Sequence, residues 1–129
     1  MRIEQEKVEL FMSRVGEVMP EKPEVGNYAE AMRRGDFIDE ELSEYRRAVE
    51  NGDLVGIADA IGDMLYVVIG AAIHHGMELQ PIFEEIHRSN MTKTIDDTGF
   101  KRCVKGLTYE EPRLAEVLII QTTGLQEAP

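Results

Sequence analysis

Apolar side chains recur at helical spacing along most of the chain, and there is almost no strand signal. The pattern breaks at Pro20 and Pro23, at Asn51-Gly52 and at Gly76, which are residue types that end helices. Helices are therefore predicted over residues of about 3–18, 28–50, 53–75, 79–91 and 112–121. The expected fold class is all-α, with a four-helix-bundle-type core and an extra short C-terminal helix.

The third predicted helix is apolar around nearly its whole circumference, in the segment LVGIADAIGDMLYVVIGAAI. Such a helix is either a membrane span or the central buried helix of a bundle. Asp59 and Asp63 lie within it, and each would be costly at membrane depth. No basic anchor lies close to either end. We therefore expect a buried bundle helix and no membrane partner.

The segments outside these helices are polar. Residues 92–111 predict an ordered loop or a mobile flap, and residues 122–129 predict a flexible tail. No linker composition separates the helices, so residues 1–121 are expected to form a single domain. A domain of this size is compatible with oligomerisation.

Two acidic clusters lie on consecutive predicted helices. In DEELSE, Glu41 and Glu44 are three residues apart and share a helical face, with Glu40 about 100° to the side. In DAIGD, Asp59 and Asp63 are four residues apart and also share a face. The intervening NGD turn predicts an antiparallel hairpin, so the two acidic faces are expected to meet.

Carboxylates that converge in a poorly solvated place repel one another and require a cation. Mg²⁺ or Mn²⁺ suits such oxygen ligands, whereas the clusters lack the cysteine and histidine ligands typical of zinc. The first cluster alone is more typical of an ordinary surface helix. The second is different, because its aspartates are the only charges within some twenty apolar residues. The predicted metal ligands are Glu41, Glu44, Asp59 and Asp63.

The composition narrows the possible partners and the compartment. The chain has 25 acidic and 14 basic residues, for a formal net charge of −11. Such a surface repels nucleic-acid backbones, so nucleic-acid binding is not expected, although bound divalent cations would still attract phosphates. A single cysteine, Cys103, favours a reducing, cytoplasmic compartment, and the first residues show no apolar signal-peptide core.

Several side chains are candidates for substrate binding. In HRSNMTK, Asn90 and Lys93, and less clearly Arg88, are either polyphosphate ligands or charges favoured at a helix C-terminus. Lys105, in the polar loop, is a second mobile point charge for phosphate. Tyr66, one turn beyond the second acidic cluster, either borders the site or fills the core.

Together these motifs resemble the all-α NTP pyrophosphohydrolases, which include MazG-like proteins, dimeric dUTPases and phosphoribosyl-ATP pyrophosphohydrolases. EELSE at 40–44 is similar to the first half of their EExxE and ExxD signature. The segments DAIGDMLYVVIGAAIHHGM, HRSNMTK and KGLTYEEP resemble the MazG-like, phosphoribosyl-ATP-pyrophosphohydrolase-like branch, and the likeness covers residues of about 8–118. Ala60 stands where ExxD has its glutamate, so Asp63 carries over and Asp59 is a substitute.

The resemblance implies Mg²⁺-dependent hydrolysis of a nucleoside triphosphate to a monophosphate and pyrophosphate, in a homodimer or a dimer-paired homotetramer. Glu41, Glu44 and Asp63 would hold the metal, and Glu40, offset from that face, would position or deprotonate the attacking water. Two alternatives stay open. One is a phosphoribosyl-ATP or modified-nucleotide substrate, and the other is a non-enzymatic helical protein that assembles around divalent cations.

Overall fold

The computed structural model describes residues 1–95 and 103–124. Within them the chain forms five helices and one pair of short strands: α1 Arg2–Arg14, α2 Tyr28–Glu50, α3 Leu54–His74, α4 Leu79–Asn90, β1 Thr94–Ile95, β2 Cys103–Val104 and α5 Leu114–Thr123. The predicted all-α class is confirmed.

The long helices begin at side-chain caps. The Asn27 side chain accepts a hydrogen bond from the Glu30 amide at 3.0 Å, and the Asp53 side chain accepts one from the Gly56 amide at 3.0 Å. Between α2 and α3, Gly52 takes a positive φ of 62°, which lets the chain reverse direction within three residues. The result is a tight helical hairpin in which α2 packs along α3.

Contacts within the chain define two compact units, Met1–Leu79 and Gln80–Pro129. The core of the first unit lies between α1 and α3 and consists of Val8, Met12, Ile69 and Ile73. The buried Gln5 side chain fastens α1 to the segment after α3. It donates to the Met77 carbonyl at 3.0 Å and accepts from the Leu79 amide at 2.9 Å. The single domain predicted over residues 1–121 stays a prediction.

The connector between α1 and α2 crosses the C-terminal end of α3. The Glu24 amide donates to the His75 carbonyl at 2.9 Å, and a ring nitrogen of His75 lies 3.0 Å from the Glu24 carbonyl. Gly76 is required at this crossing, because a Cβ there would lie 2.4 Å from the carbonyl oxygen of Lys22. The connector is thereby held against the end of the hairpin.

The second unit contains a strand pair that the sequence did not predict. Thr94 pairs with Val104 and Ile95 with Cys103 in antiparallel register, inside the polar stretch predicted as a loop or flap. Residues 96–102 of that stretch lie outside the described residues. At the end of the chain, α5 continues through Thr123, so it includes the first two residues of the predicted tail. Residues 125–129 also lie outside the described part.

The helix α3 is covered on part of its circumference only. It is long and apolar enough to cross a membrane by length and composition, and 17% of its most apolar stretch is buried within the single chain. The expectation of a buried central helix is therefore not met by one chain alone, because α1 and α2 leave one side open. That side, called here the apolar face, borders an open depression of about 460 Å³ and comprises Leu42, Tyr45, Ile61, Met64, Leu65 and Val68.

Candidate metal centre

Three carboxylates converge where α2 and α3 run side by side. Glu41 and Glu44 on α2 and Asp63 on α3 each offer an oxygen, and these oxygens all lie within 4.8 Å of one another. The two glutamates are half-buried, whereas Asp63 is exposed. The spacing of three residues on α2 and the short turn of the hairpin place them together.

The electrostatics of this group centre on Glu41. Burial raises the pKa of its carboxyl first, and the nearby Glu44, Asp63 and Glu40 raise it further. Its Oε2 atom is buried and finds no hydrogen-bond partner among residues 1–95 and 103–124. A cation would satisfy this oxygen and cancel the repulsion between the carboxylates. An all-oxygen set of this kind fits a hard divalent ion such as Mg²⁺ or Mn²⁺.

The other two predicted acids lie outside this group of three. Asp59 is exposed, and it is not among the acids whose oxygens lie within 4.8 Å of one another. Its neighbour Ala60 takes the interior position and is only 1% exposed, so the side chain that points inward there carries no carboxylate. Glu40 is exposed beside Glu41 and acts on it through its charge. The structure therefore brings Glu40 close to the group without adding it to the set.

Arg88 forms hydrogen bonds within the second unit. Its guanidinium donates to both carboxylate oxygens of Glu85 at 2.6 to 3.1 Å, to Glu110 at 2.7 Å and to the Glu111 carbonyl at 3.2 Å. These bonds raise the pKa of Arg88 and, with the Arg113 amide, lower that of Glu85 to about 2. Arg88 ties α4 to residues 110–111, a role that sequence reasoning missed.

Hydrogen bonds connect the two downstream motifs, HRSNMTK and KGLTYEEP. The Ser89 hydroxyl donates to the Glu110 carbonyl at 2.7 Å, and the Thr92 hydroxyl accepts from the Glu110 amide at 2.9 Å. The Thr108 hydroxyl donates to the Thr92 carbonyl at 3.0 Å. The hydroxyl residues in the two motifs, Ser89, Thr92 and Thr108, make these bonds.

The other residues predicted to bind substrate differ in their surroundings. Asn90 is exposed at the end of α4 and Lys93 is half-buried before β1. The Lys105 ammonium lies 5.1 Å from the ring centroid of Tyr109, a cation–π contact within the second unit. In the first unit, the Tyr66 ring packs edge-on against Phe11, with centroids 5.8 Å apart, and borders a cavity. Tyr66 therefore both packs on α1 and lines open space.

Comparison with known families agrees with this geometry. The sequence profile of the phosphoribosyl-ATP pyrophosphohydrolase family matches residues 8–90, a segment that includes the three converging carboxylates. No match was found among curated proteins. The chain is thus a nucleotide pyrophosphohydrolase of the MazG-like all-α superfamily, a hydrolase of phosphorus-containing anhydrides. Within that superfamily it belongs to the phosphoribosyl-ATP pyrophosphohydrolase family.

Proposed function

We propose that this chain is a Mg²⁺-dependent nucleoside triphosphate pyrophosphohydrolase, which cleaves the α–β phosphoanhydride of a (d)NTP to give a (d)NMP and pyrophosphate. The observation that carries the proposal is the convergence of Glu41, Glu44 and Asp63, together with a buried Oε2 of Glu41 that has no hydrogen-bond partner in the described part of the chain. Family membership supplies the type of bond that is cleaved.

In this proposal Glu41, Glu44 and Asp63 hold Mg²⁺, with Mn²⁺ as a substitute. The bound ion would neutralise phosphate oxygens, which is the main need of phosphoryl transfer. Glu40 is exposed and offset from the ligand oxygens, so it is the carboxylate that accepts a proton from the attacking water. Asp59 lies outside the converging group, so it is the weakest member of the predicted ligand set.

Phosphate binding by the second unit stays a prediction from the sequence. Asn90 and Lys93 are the preferred candidates, because their side chains are not committed to the hydrogen bonds that hold Arg88. Lys105 is a weaker candidate, since its ammonium lies against the Tyr109 ring. Arg88 is expected to stabilise the fold of this segment rather than to bind phosphate.

We further propose that a second copy of the chain covers the apolar face, to give a homodimer or a dimer-paired homotetramer. Ile61, Leu65 and Val68 on α3 are 53%, 44% and 38% exposed in the single chain. Contiguous exposed apolar surface of this kind marks an interaction site. A self-complementary helical hairpin is a common basis for a two-fold dimer.

The proposal is tested by incubating the purified protein with all common NTPs and dNTPs in Mg²⁺, and by identifying the products. Release of pyrophosphate and nucleoside monophosphate is expected, and EDTA should abolish it. Glu41→Gln serves as the inactive control. Release of orthophosphate alone, or no turnover with either Mg²⁺ or Mn²⁺, would contradict the proposal.

Phosphoribosyl-ATP is the second candidate substrate, favoured by the family match alone. It carries the same α–β phosphoanhydride, so the same metal centre would serve. Adding phosphoribosyl-ATP to the nucleotide panel distinguishes it from the (d)NTPs. The true substrate should have a kcat/KM at least about tenfold above that of the other, which corresponds to about 1.4 kcal/mol in transition-state binding.

A further inference from the structure

The groove between α2 and α3 continues beyond the carboxylates. On α2, one helical face carries Arg34, Phe37, Glu41 and Glu44, which are three or four residues apart. On α3, the corresponding face carries Asp63, Val67, Gly70 and His74. Phe37 lies four residues before Glu41, about 6 Å along the helix, and Arg34 lies about 10 Å before it. A ribose attached to a metal-bound phosphate would therefore place its base beside Phe37 and Arg34.

This part of the groove holds a cavity of about 240 Å³ between α1, α2 and α3. Its wall is largely apolar and aromatic, with Phe11 and Met12 from α1, Phe37 from α2, and Tyr66 from α3. Aromatic side chains of this kind stack on nucleobases without regard to their identity. The volume and the lining of the cavity therefore suit a flat heteroaromatic ring.

A partly buried ion pair supplies the polar part of the same wall. The Arg34 side chain is 11% exposed and donates from Nη2 to Glu17 Oε2. Its guanidinium carbon lies 5.8 Å from the Phe37 ring centroid. Its Nη1 lies close to Gly70 on α3, where a Cβ would make an ordinary van der Waals contact with it at 3.7 Å. The pair thus holds a planar group of donors against the aromatic wall.

Arg34 keeps unused hydrogen-bonding capacity. Its Nε is buried and has no acceptor within the described residues. A buried donor without a partner costs free energy, and so it calls for an explanation beyond packing. If the ion pair only fastened the connector to α2, the Nη2 bond to Glu17 would be sufficient.

We propose that this cavity binds the nucleobase of the substrate and that the Arg34–Glu17 pair selects bases with a ring carbonyl next to a ring N–H, namely guanine, uracil, thymine and hypoxanthine. A guanidinium only donates and a carboxylate only accepts, so together they complement a carbonyl beside an N–H. Adenine has no carbonyl and is disfavoured. The inference rests on the proposed function.

The decisive measurement is kcat/KM for GTP, UTP and ATP with Mg²⁺, in the wild type and in Arg34→Met. The wild type should favour GTP or UTP over ATP. Arg34→Met should lower kcat/KM for the favoured base about 10- to 100-fold, mainly through KM, and leave ATP nearly unchanged. Arg46→Met, an exposed arginine on the same helix, is the matched control and should keep the wild-type ratios.

Arg34→Lys controls for a folding defect in Arg34→Met. Lysine can keep the ion pair with Glu17, but it lacks the planar donors of the guanidinium. This variant should show the same flattened base preference with an unchanged melting temperature. A purely structural role predicts instead that both variants lose activity towards all three nucleotides by one common factor. That result, or a wild type that prefers ATP, overturns the inference.

A binding experiment separates the failure of this inference from failure of the proposed function. Isothermal titration in EDTA measures binding of GMP, UMP and AMP without metal or turnover. Selective binding of GMP or UMP that is lost in Arg34→Met supports the inference even if no triphosphate is hydrolysed. Hydrolysis of triphosphates without such selective binding leaves the proposed function standing and overturns the inference.

Discussion

Glu41 on α2 and Asp63 on α3 bring carboxylate oxygens within 4.8 Å of each other across the helical hairpin. In the absence of metal, burial and then the nearby carboxylates of Glu44 and Asp63 raise the pKa of Glu41, so the folded protein disfavours its ionised form. The closely spaced carboxylates that would bind a metal ion therefore destabilise the folded protein when no metal is bound.

Glu41→Gln should accordingly lose more than about 100-fold in kcat/KM, since even residues that only support metal ligands cost 10- to 100-fold. Its melting temperature in EDTA should equal or exceed that of the wild type, because one repelling charge is gone. Mg²⁺ should raise the melting temperature of the wild type and not that of the variant. A variant that melts lower in EDTA and responds normally to Mg²⁺ would show that Glu41 is not a ligand.

Asp59 and Asp63 are expected to differ in their sensitivity to substitution. Asp63 belongs to the converging group, whereas Asp59 lies outside it. Asp63→Asn should weaken Mg²⁺ activation by at least about tenfold more than Asp59→Asn. The check is a titration of activity against Mg²⁺ for both variants. Equal losses would restore Asp59 to the ligand set that the sequence predicted.

Much of this arrangement could be predicted from the sequence, because helical periodicity and turn residues are local signals. The spacing of Glu41 and Glu44, the cap at Asp53 and the Asn51-Gly52 turn together define the hairpin and bring its acids together. That Asp59 lies outside the group could not be predicted, because positions 59 and 63 share a helical face in an isolated helix.

The features that were missed depend on contacts between distant parts of the chain. Arg34 and Glu17 lie on different elements, and no local pattern links them. The same is true of Arg88 and Glu110, which meet only when the segment after β2 folds back on α4. Strands of two residues, such as β1 and β2, are too short to show an alternating pattern.

The apolar face provides a test of self-association. Val68→Glu adds a charge to a surface that a second copy must bury, so the variant should sediment as a monomer of 14.6 kDa while the wild type sediments as a dimer or tetramer. Leu10→Glu is the matched control, because Leu10 is exposed on α1 and outside the apolar face. A wild type that sediments as a monomer at micromolar concentration would exclude this face as a homodimer interface.

Glu85 should make the second unit sensitive to acid. The side-chain bonds from Arg88, followed by the Arg113 amide, lower the pKa of Glu85 to about 2 from an ordinary value of 4.5. A carboxyl with a lowered pKa in the folded state stabilises the protein above its unfolded pKa, and this stabilisation is lost as the pH falls towards the folded pKa. The loss is therefore expected between pH 4.5 and about 2.

Glu85→Gln removes that ionisation, so the free energy of unfolding of the wild type should exceed that of the variant by a constant amount above about pH 5 and by a shrinking amount below it. Urea unfolding followed by circular dichroism from neutral pH to about pH 2 measures the difference. Glu84→Gln, at the neighbouring exposed position, controls for the change in net charge. A difference that stays constant down to about pH 2 would mean that the bonds from Arg88 do not depend on the charge of Glu85.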